Sequence, residues 1–169
     1  LPGDIVVETA YVGSKGTHLP FSRGYNQVPP ELLGPGNAQL RQPFPHYLGI
    51  SATFKDAVSI YHSFQLQVNK RFSRGLTFTT SYTVSKSIDN SSFDNTLSLG
   101  NEWQIATRTD LNRALSQFDT PQRIVSTLIY ELPFGAGKRF LNRGAIADGV
   151  LGGWRFSSLF SGESGTPFT

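Results

Sequence analysis

A chain of 169 residues with 15 basic against 12 acidic side chains has a formal charge of +3, too small a bias to argue for nucleic acid, and its Lys and Arg cluster at turns such as Lys70-Arg71 and Lys138-Arg139. It holds no cysteine, which excludes a disulfide framework and a thiolate metal site, and no run of about 18 apolar residues, which excludes a transmembrane helix. A transmembrane barrel is not excluded, because half of every strand in one faces a polar lumen. With 17 glycines, 10 prolines and 13 phenylalanines but only 16% charged residues, the composition suits strands joined by irregular loops.

The first strand is expected over Ile5–Val12, with Ile5, Val7 and Tyr11 on one face and Glu8 on the other. Gly13-Ser14-Lys15-Gly16 is expected to end it. From Thr17 to Ile60, Pro20, Pro29, Pro30, Pro35, Pro43 and Pro45 predict a long irregular connection, with one helical turn at Glu31-Leu32-Leu33. A connection of that length is uncommon in a compact soluble domain and marks a functional or disordered segment.

Tyr61 to Ile88 carries the strongest pattern. Phe64, Leu66 and Val68 alternate with Ser63, Gln65, Gln67 and Asn69, and a basic turn follows, Lys70-Arg71-Phe72-Ser73-Arg74-Gly75. Then Leu76, Phe78, Tyr82 and Val84, with Thr80 among them, lie opposite a row of hydroxyls: Thr77, Thr79, Ser81, Thr83, Ser85 and Ser87. A period of two means two antiparallel strands, each with an apolar and a polar face, and Gly75 supplies the permissive backbone of the turn. The arms exceed the mean strand of roughly 5–6 residues and reach the about 9–11 that a tilted membrane-spanning strand needs.

The segment Asp89 to Pro121 opens polar, and a short helix is expected near Thr109 to Leu115. A fourth strand is expected over Arg123 to Phe134, with Ile124, Leu128, Tyr130, Leu132 and Phe134 facing away from Thr127 and Glu131. After a connection from Pro133 to Gly149, a last strand runs from Gly152 to about Gly162, with Trp154, Phe156 and Phe160 against Arg155, Ser157, Ser161 and Glu163. Connections that run long, short, long and intermediate match outer-membrane barrels, which have short turns on one side and long loops on the other. Tyr61, Phe72, Phe134 and Trp154 near strand ends suit membrane interfaces, and Lys86 on the apolar face suits snorkelling to head groups. Alternation alone fits a half-buried soluble sheet equally well; strand length and loop asymmetry favour the membrane. Glu8, Glu131, Arg155 and Glu163 on the polar faces would then line the lumen and pair with each other or with an internal plug.

No catalytic or cofactor motif is complete. Gly162-Glu163-Ser164-Gly165 misses a nucleophile elbow by one residue, and Gly135-Ala136-Gly137-Lys138 is followed by Arg139 where a phosphate loop needs Ser or Thr. Asp89 to Asn95 starts like a calcium loop but has Asp94 at the glycine position and Gly100 at the bidentate Glu position, which leaves only a looser loop-bound calcium as an alternative. His18, His46 and His62 lack the spacing of a zinc pair.

A specific likeness runs through the chain. Its residues are Ala10-Tyr11-Val12-Gly13-Ser14-Lys15-Gly16-Thr17-His18-Leu19, Arg41-Gln42-Pro43-Phe44-Pro45, Tyr61-His62-Ser63-Phe64-Gln65, Lys70 to Thr77 and Ser81 to Ser87. Phe118-Asp119-Thr120-Pro121-Gln122-Arg123, Glu131 to Arg139, Leu151-Gly152-Gly153-Trp154 and Ser164-Gly165-Thr166-Pro167-Phe168 continue it. In this order they resemble the barrel of TonB-dependent outer-membrane receptors that carry an N-terminal carboxypeptidase-regulatory-like domain. The resemblance implies a longer parent, with a barrel of about 22 strands around a plug and a short box that binds TonB. It implies import of scarce nutrients such as metal chelates, sugars or peptides. Ligand contacts in such receptors lie in the plug and outer loops, so no substrate-binding residue carries over.

The expectation is therefore an all-β, antiparallel transmembrane barrel segment over residues 1–169. It has five long strands, a curved sheet that is open in isolation, and long extracellular loops at residues 14–60 and 89–120. The expected location is the outer membrane of a Gram-negative bacterium, as a piece of a longer protein that is not an enzyme and has no catalytic residue, cofactor or metal. Expected partners are outer-membrane lipid, the protein's own plug, TonB through that plug, and an unidentified small-molecule, glycan or peptide ligand, with no nucleic acid. Two other readings stay open: an adhesive or structural outer-membrane barrel, and a soluble carbohydrate-binding module.

Overall fold

A computed structural model describes residues 4–92, 105, 107–135, 137–140 and 152–167. All regular structure among them is strand or single 3-10 turn. The strands are β1 (Ile5–Gly24), β2 (Ser51–Ser73), β3 (Leu76–Asp89), β4 (Ala114–Leu115), β5 (Gln122–Glu131) and β6 (Arg155–Glu163). They form one sheet in the order β1-β2-β3-β5-β6, with β4 paired to the end of β3. The sheet is antiparallel and open, with β1 and β6 at its two ends.

By their contacts the residues form two units. In the unit made of Leu1–Val12, Ser63–Ser85 and Pro121–Gly165, the β3–β5 and β5–β6 ladders carry nine registered pairs each. Residues opposite one another share a face. One face holds the rungs Leu76–Tyr130–Phe156, Phe78–Leu128–Ser158, Thr80–Ser126–Phe160 and Tyr82–Ile124–Gly162. The other holds Thr79–Thr127–Leu159, Thr83–Arg123–Glu163 and the pair Glu131–Arg155. The two faces expected from the alternation are thus in register across three strands. Thr80, the polar residue on the apolar face, hydrogen-bonds Ser126 hydroxyl to hydroxyl at 2.9 Å, so neither group meets hydrocarbon unpaired.

The hairpin turn is tighter than the six-residue turn expected. β2 continues through the basic residues to Ser73, and Arg74-Gly75 alone reverse the chain, with φ of 52° and 81°. Positive φ at both central residues matches the right-handed twist of the flanking strands. A Cβ on Gly75 would lie 2.9 Å from the backbone oxygen of Glu131, so a side chain is excluded there by contact as well as by conformation.

The other unit comprises Gly13–His62, Lys86–Thr120 and Thr166–Thr169. Here the first expectation fails: Gly13-Ser14-Lys15-Gly16 does not end β1, which runs to Gly24. Pairing with β2 overrides the local preference of glycine. Pro20 lies within β1, at one end of the strand order. His18 takes the left-handed φ of 56° within the strand. The first connection therefore shrinks from residues 17–60 to 25–50, and Tyr61 lies inside β2, not at its end.

The expected helix near Thr109 to Leu115 is a 3-10 turn at Thr109–Asn112 followed by β4, which pairs Leu115 with Ile88 and Ala114 with Asp89. β5 stops at Glu131, two residues before Pro133, which cannot donate to a ladder. Phe134 instead bridges to Phe140. Phe93 to Asn95 and Gly100 of the supposed calcium loop lie outside the described residues, as do Ala136 and residues 141–149.

Buried apolar residues among those described are only Phe21 and Ala57, whereas Asn26, Ser63, Ser87, Asp89, Asn90, Ser116 and Asp119 are buried and polar. That is the reverse of a water-soluble core. Val7, Tyr11, Phe64, Phe72, Phe156 and Phe160 are exposed, as lipid-facing side chains are when no lipid is present.

Candidate functional site

Two connections leave the sheet at the ends of β1 and β3; side chains fold the first onto itself and tie down the foot of the second. The first, residues 25–50, has Pro30 at the start of a 3-10 turn over Pro30–Leu32. Asn37 caps a second turn over Ala38–Arg41, its side-chain oxygen accepting from Gln39 N–H at 3.0 Å. Arg41 then turns its fork inward, donating to the carbonyls of Leu32 (3.1 Å), Gly34 (2.7 Å) and Gly36 (3.3 Å). Asn26 is the second organiser. Its amide donates to Gln42 Oε1 and to the carbonyls of Phe44 and Tyr47, and its Oδ1 accepts from Phe44 N–H at 2.9 Å.

At the base of this connection Tyr25 stacks between Phe44 and Phe54, each 6.2 Å away. The Arg23 guanidinium lies 3.9 Å above the Phe54 ring and pairs with Asp56 at 3.0 Å. With several of its carbonyls held by Asn26 and Arg41, the connection leaves apolar side chains to solvent: Leu32, Leu33, Leu40, Tyr47 and Leu48 are exposed, Leu48 to 87%. A backbone already ordered spends no further entropy when those side chains meet a ligand.

The second connection returns to the sheet through β4. Its foot is a buried hydroxyl–carboxylate knot. Asp89 Oδ1 accepts from Ser91 N–H (3.2 Å) and from the Ser92 hydroxyl (2.5 Å), while Oδ2 accepts from the Ser116 hydroxyl at 2.5 Å. Ser116 Oγ also meets Ser87 Oγ at 2.8 Å, and Ser87 N–H donates to Asp119 Oδ1 at 2.7 Å. Asn90 exchanges two hydrogen bonds with Val58, donating from its N–H and accepting at Oδ1. The oxygens of Asp89 that a calcium ion would need are thus taken by hydroxyl and amide donors. Among the described residues no group of three or more metal-ligating carboxylates or imidazoles exists. His18, His46 and His62 sit on β1, the first connection and β2 respectively. Farther along, Arg108 donates to both oxygens of Asp110 and holds its carboxyl below the usual carboxylate range, but the pair is exposed and contributes little.

The charged residues expected on the polar faces behave as anticipated in part. Glu131 pairs with Arg155 at 2.7 Å and with Lys138 at 3.3 Å, and Glu163 faces Arg123 at 3.9 Å. Glu8 is exposed on β1. Arg41 and Asp119, which help organise the two connections, lie in runs that carry the sequence likeness, though nothing there marks this role; Asn26 and Ser116 carry no signature in the sequence.

No curated protein and no solved structure matches the chain. The family model described as outer membrane beta barrel domain matches residues 1–169. Long registered strands with one apolar and one polar face, an open sheet and exposed aromatic side chains accord with it, and the soluble-module reading falls away. The chain belongs to the outer membrane beta barrel domain family.

Proposed function

We propose that this chain is wall and outer-loop segment of a TonB-dependent receptor in the outer membrane of a Gram-negative bacterium, a transporter and not an enzyme. The observation that carries the reading is the contrast between the two ends of the strands. A two-residue turn joins β2 to β3, whereas the opposite end carries a 26-residue connection, residues 25–50, folded by Asn26 and Arg41 into a fixed platform. A passive wall needs no such platform; ligand capture does. The ordered likeness of the sequence motifs to TonB-dependent receptors supports the finer assignment. In this reading the platform captures a small-molecule, glycan or peptide ligand, and an internal plug driven through TonB releases it inward.

The test is made in the full-length protein. Replacing residues 26–49 by a short Gly-Ser linker should abolish growth on the imported nutrient while the barrel still inserts, since loop closure changes by only about 0.6 kcal/mol per doubling of length. Growth should fail equally in a strain without TonB. Growth that persists without TonB would leave the adhesive reading, which the exposed Leu33, Leu40 and Leu48 also suit.

A further inference from the structure

The turn end of the sheet has a charge bias that the Glu131 pairs do not exhaust. Arg71 N–H donates to Asp4 O, Glu131 N–H donates to Gly75 O, and Glu131 is registered with Arg155. These bonds bring the end of β2, the β2–β3 turn, the end of β5 and the start of β6 together. Among the described residues this end gathers Lys70, Arg71, Arg74, Lys138, Arg139 and Arg155 against the carboxylates of Asp4 and Glu131 alone. Glu131 already has two cations, Arg155 and Lys138, so the group keeps a net positive charge. Arg71, Arg74 and Arg139 are exposed, and Arg139 lies 5.4 Å from the Phe140 ring.

Apolar residues accompany the cations. Phe72 shares its face with Phe64, Leu66 and Val68 by strand alternation, and Tyr130 and Phe156 are registered with Leu76 on the apolar face. Phe72, Phe140 and Trp154 are exposed by 57%, 49% and 60%. Aromatic rings at the end of a lipid-facing surface, with guanidinium groups just beyond them, match the layered chemistry of a membrane interface: acyl chain, then headgroup phosphate.

We propose that this basic rim binds the phosphates of anionic phospholipids in the leaflet it reaches, and so anchors the barrel vertically in the bilayer. Charge complementarity selects the occupant. Arg71, Arg74 and Arg139, exposed and outside the Glu131 pairs, attract a sheet of phosphates, and neighbouring aromatic rings bury into the adjoining acyl region. The inference rests on membership of the barrel family and not on import, so a failure of TonB-dependent uptake leaves it standing.

The experiment uses the full-length protein purified in a neutral detergent, with native mass spectrometry in equimolar phosphatidylglycerol and phosphatidylcholine of matched chains. The wild type should retain phosphatidylglycerol preferentially, and about 1 M NaCl, where the screening length is about 3 Å, should erase the preference. In the variant R71Q/R74Q/R139Q, which leaves the Glu131 pairs intact, the preference should fall about fivefold for each charge removed. The variant K15Q/K55Q, altered in the other unit, should keep it. Equal retention of the two lipids by the wild type overturns the proposal, with or without a co-purified acidic protein. So does a preference that survives in the folded triple variant. Should the triple variant not fold, judged by its migration before and after boiling, the wild-type salt titration decides alone.

Discussion

Asp89 ends β3 with both carboxylate oxygens occupied, and Ser116, which is fully buried, bridges it to Ser87. Ser116→Ala removes a donor to a buried carboxylate and strands the Ser87 hydroxyl. It should cost about 1–3 kcal/mol, read as an earlier urea midpoint for the refolded full-length barrel and faster hydrogen exchange of the backbone amides at positions 87 and 116. An unchanged midpoint would mean that water replaces the knot at no cost. The β2–β3 turn gives a pair of opposite signs. Gly75→Ala must place a Cβ at positive φ and against Glu131 O, a loss of about 1–2 kcal/mol or more. Arg74→Asn puts a residue suited to positive φ where Arg now holds 52°, and should raise stability by a few tenths of a kcal/mol, on the order of other turn optimisations. Loss in both variants would sink the turn assignment.

At the scale of elements, register is the property most open to test. Phe78 and Tyr82 share a face with Leu128 and Ile124, while Thr79 and Ser81 lie opposite. Cysteines at Phe78 and Tyr82 should react with lipid-phase probes, and those at Thr79 and Ser81 with water-soluble reagents; reversed labelling would mean a one-residue slip. Phe78→Lys should cost about 2–4 kcal/mol if the residue lies at the bilayer midplane. These faces were legible in the sequence because alternation is local: each residue of β3 reports its own side. The course of β1 beyond Val12 was not. Gly13, Gly16 and Pro20 punctuate a chain read alone, but the partner strand decides, and partners are invisible until the sheet forms. Asn26 was illegible for a related reason. Asn26 reaches carbonyls 18 and 21 residues away, and no spacing in the sequence announces such a bond.

At the scale of the whole molecule, the sheet is open, and the two ends of its strand order, β1 and β6, offer backbone groups that lipid cannot satisfy. Such edges need partner strands, and closed bacterial barrels use about 8 strands or more. Family membership and open topology therefore describe one requirement from two directions: the sequence pattern of a barrel wall, and a wall with pairing capacity left over. Among the described residues the buried side chains are mostly polar while large apolar side chains such as Phe64, Phe72 and Phe160 stand exposed on the strands, an inversion that suits a wall with hydrocarbon outside.

The nine-pair ladders of β5 with β3 and β6 also set a thickness. At about 3.4 Å per residue and a tilt near 40°, nine residues rise about 23 Å. That is thinner than an average bilayer's hydrocarbon core of about 30 Å, and the bacterial outer membrane is itself thinner than average. Refolding of the full-length protein into vesicles should therefore be fastest with acyl chains of about 10–12 carbons and should slow progressively with about 16–18, where the bilayer has to compress around the short ladder. A barrel of this build would be sorted by membrane thickness before any ligand or partner is encountered.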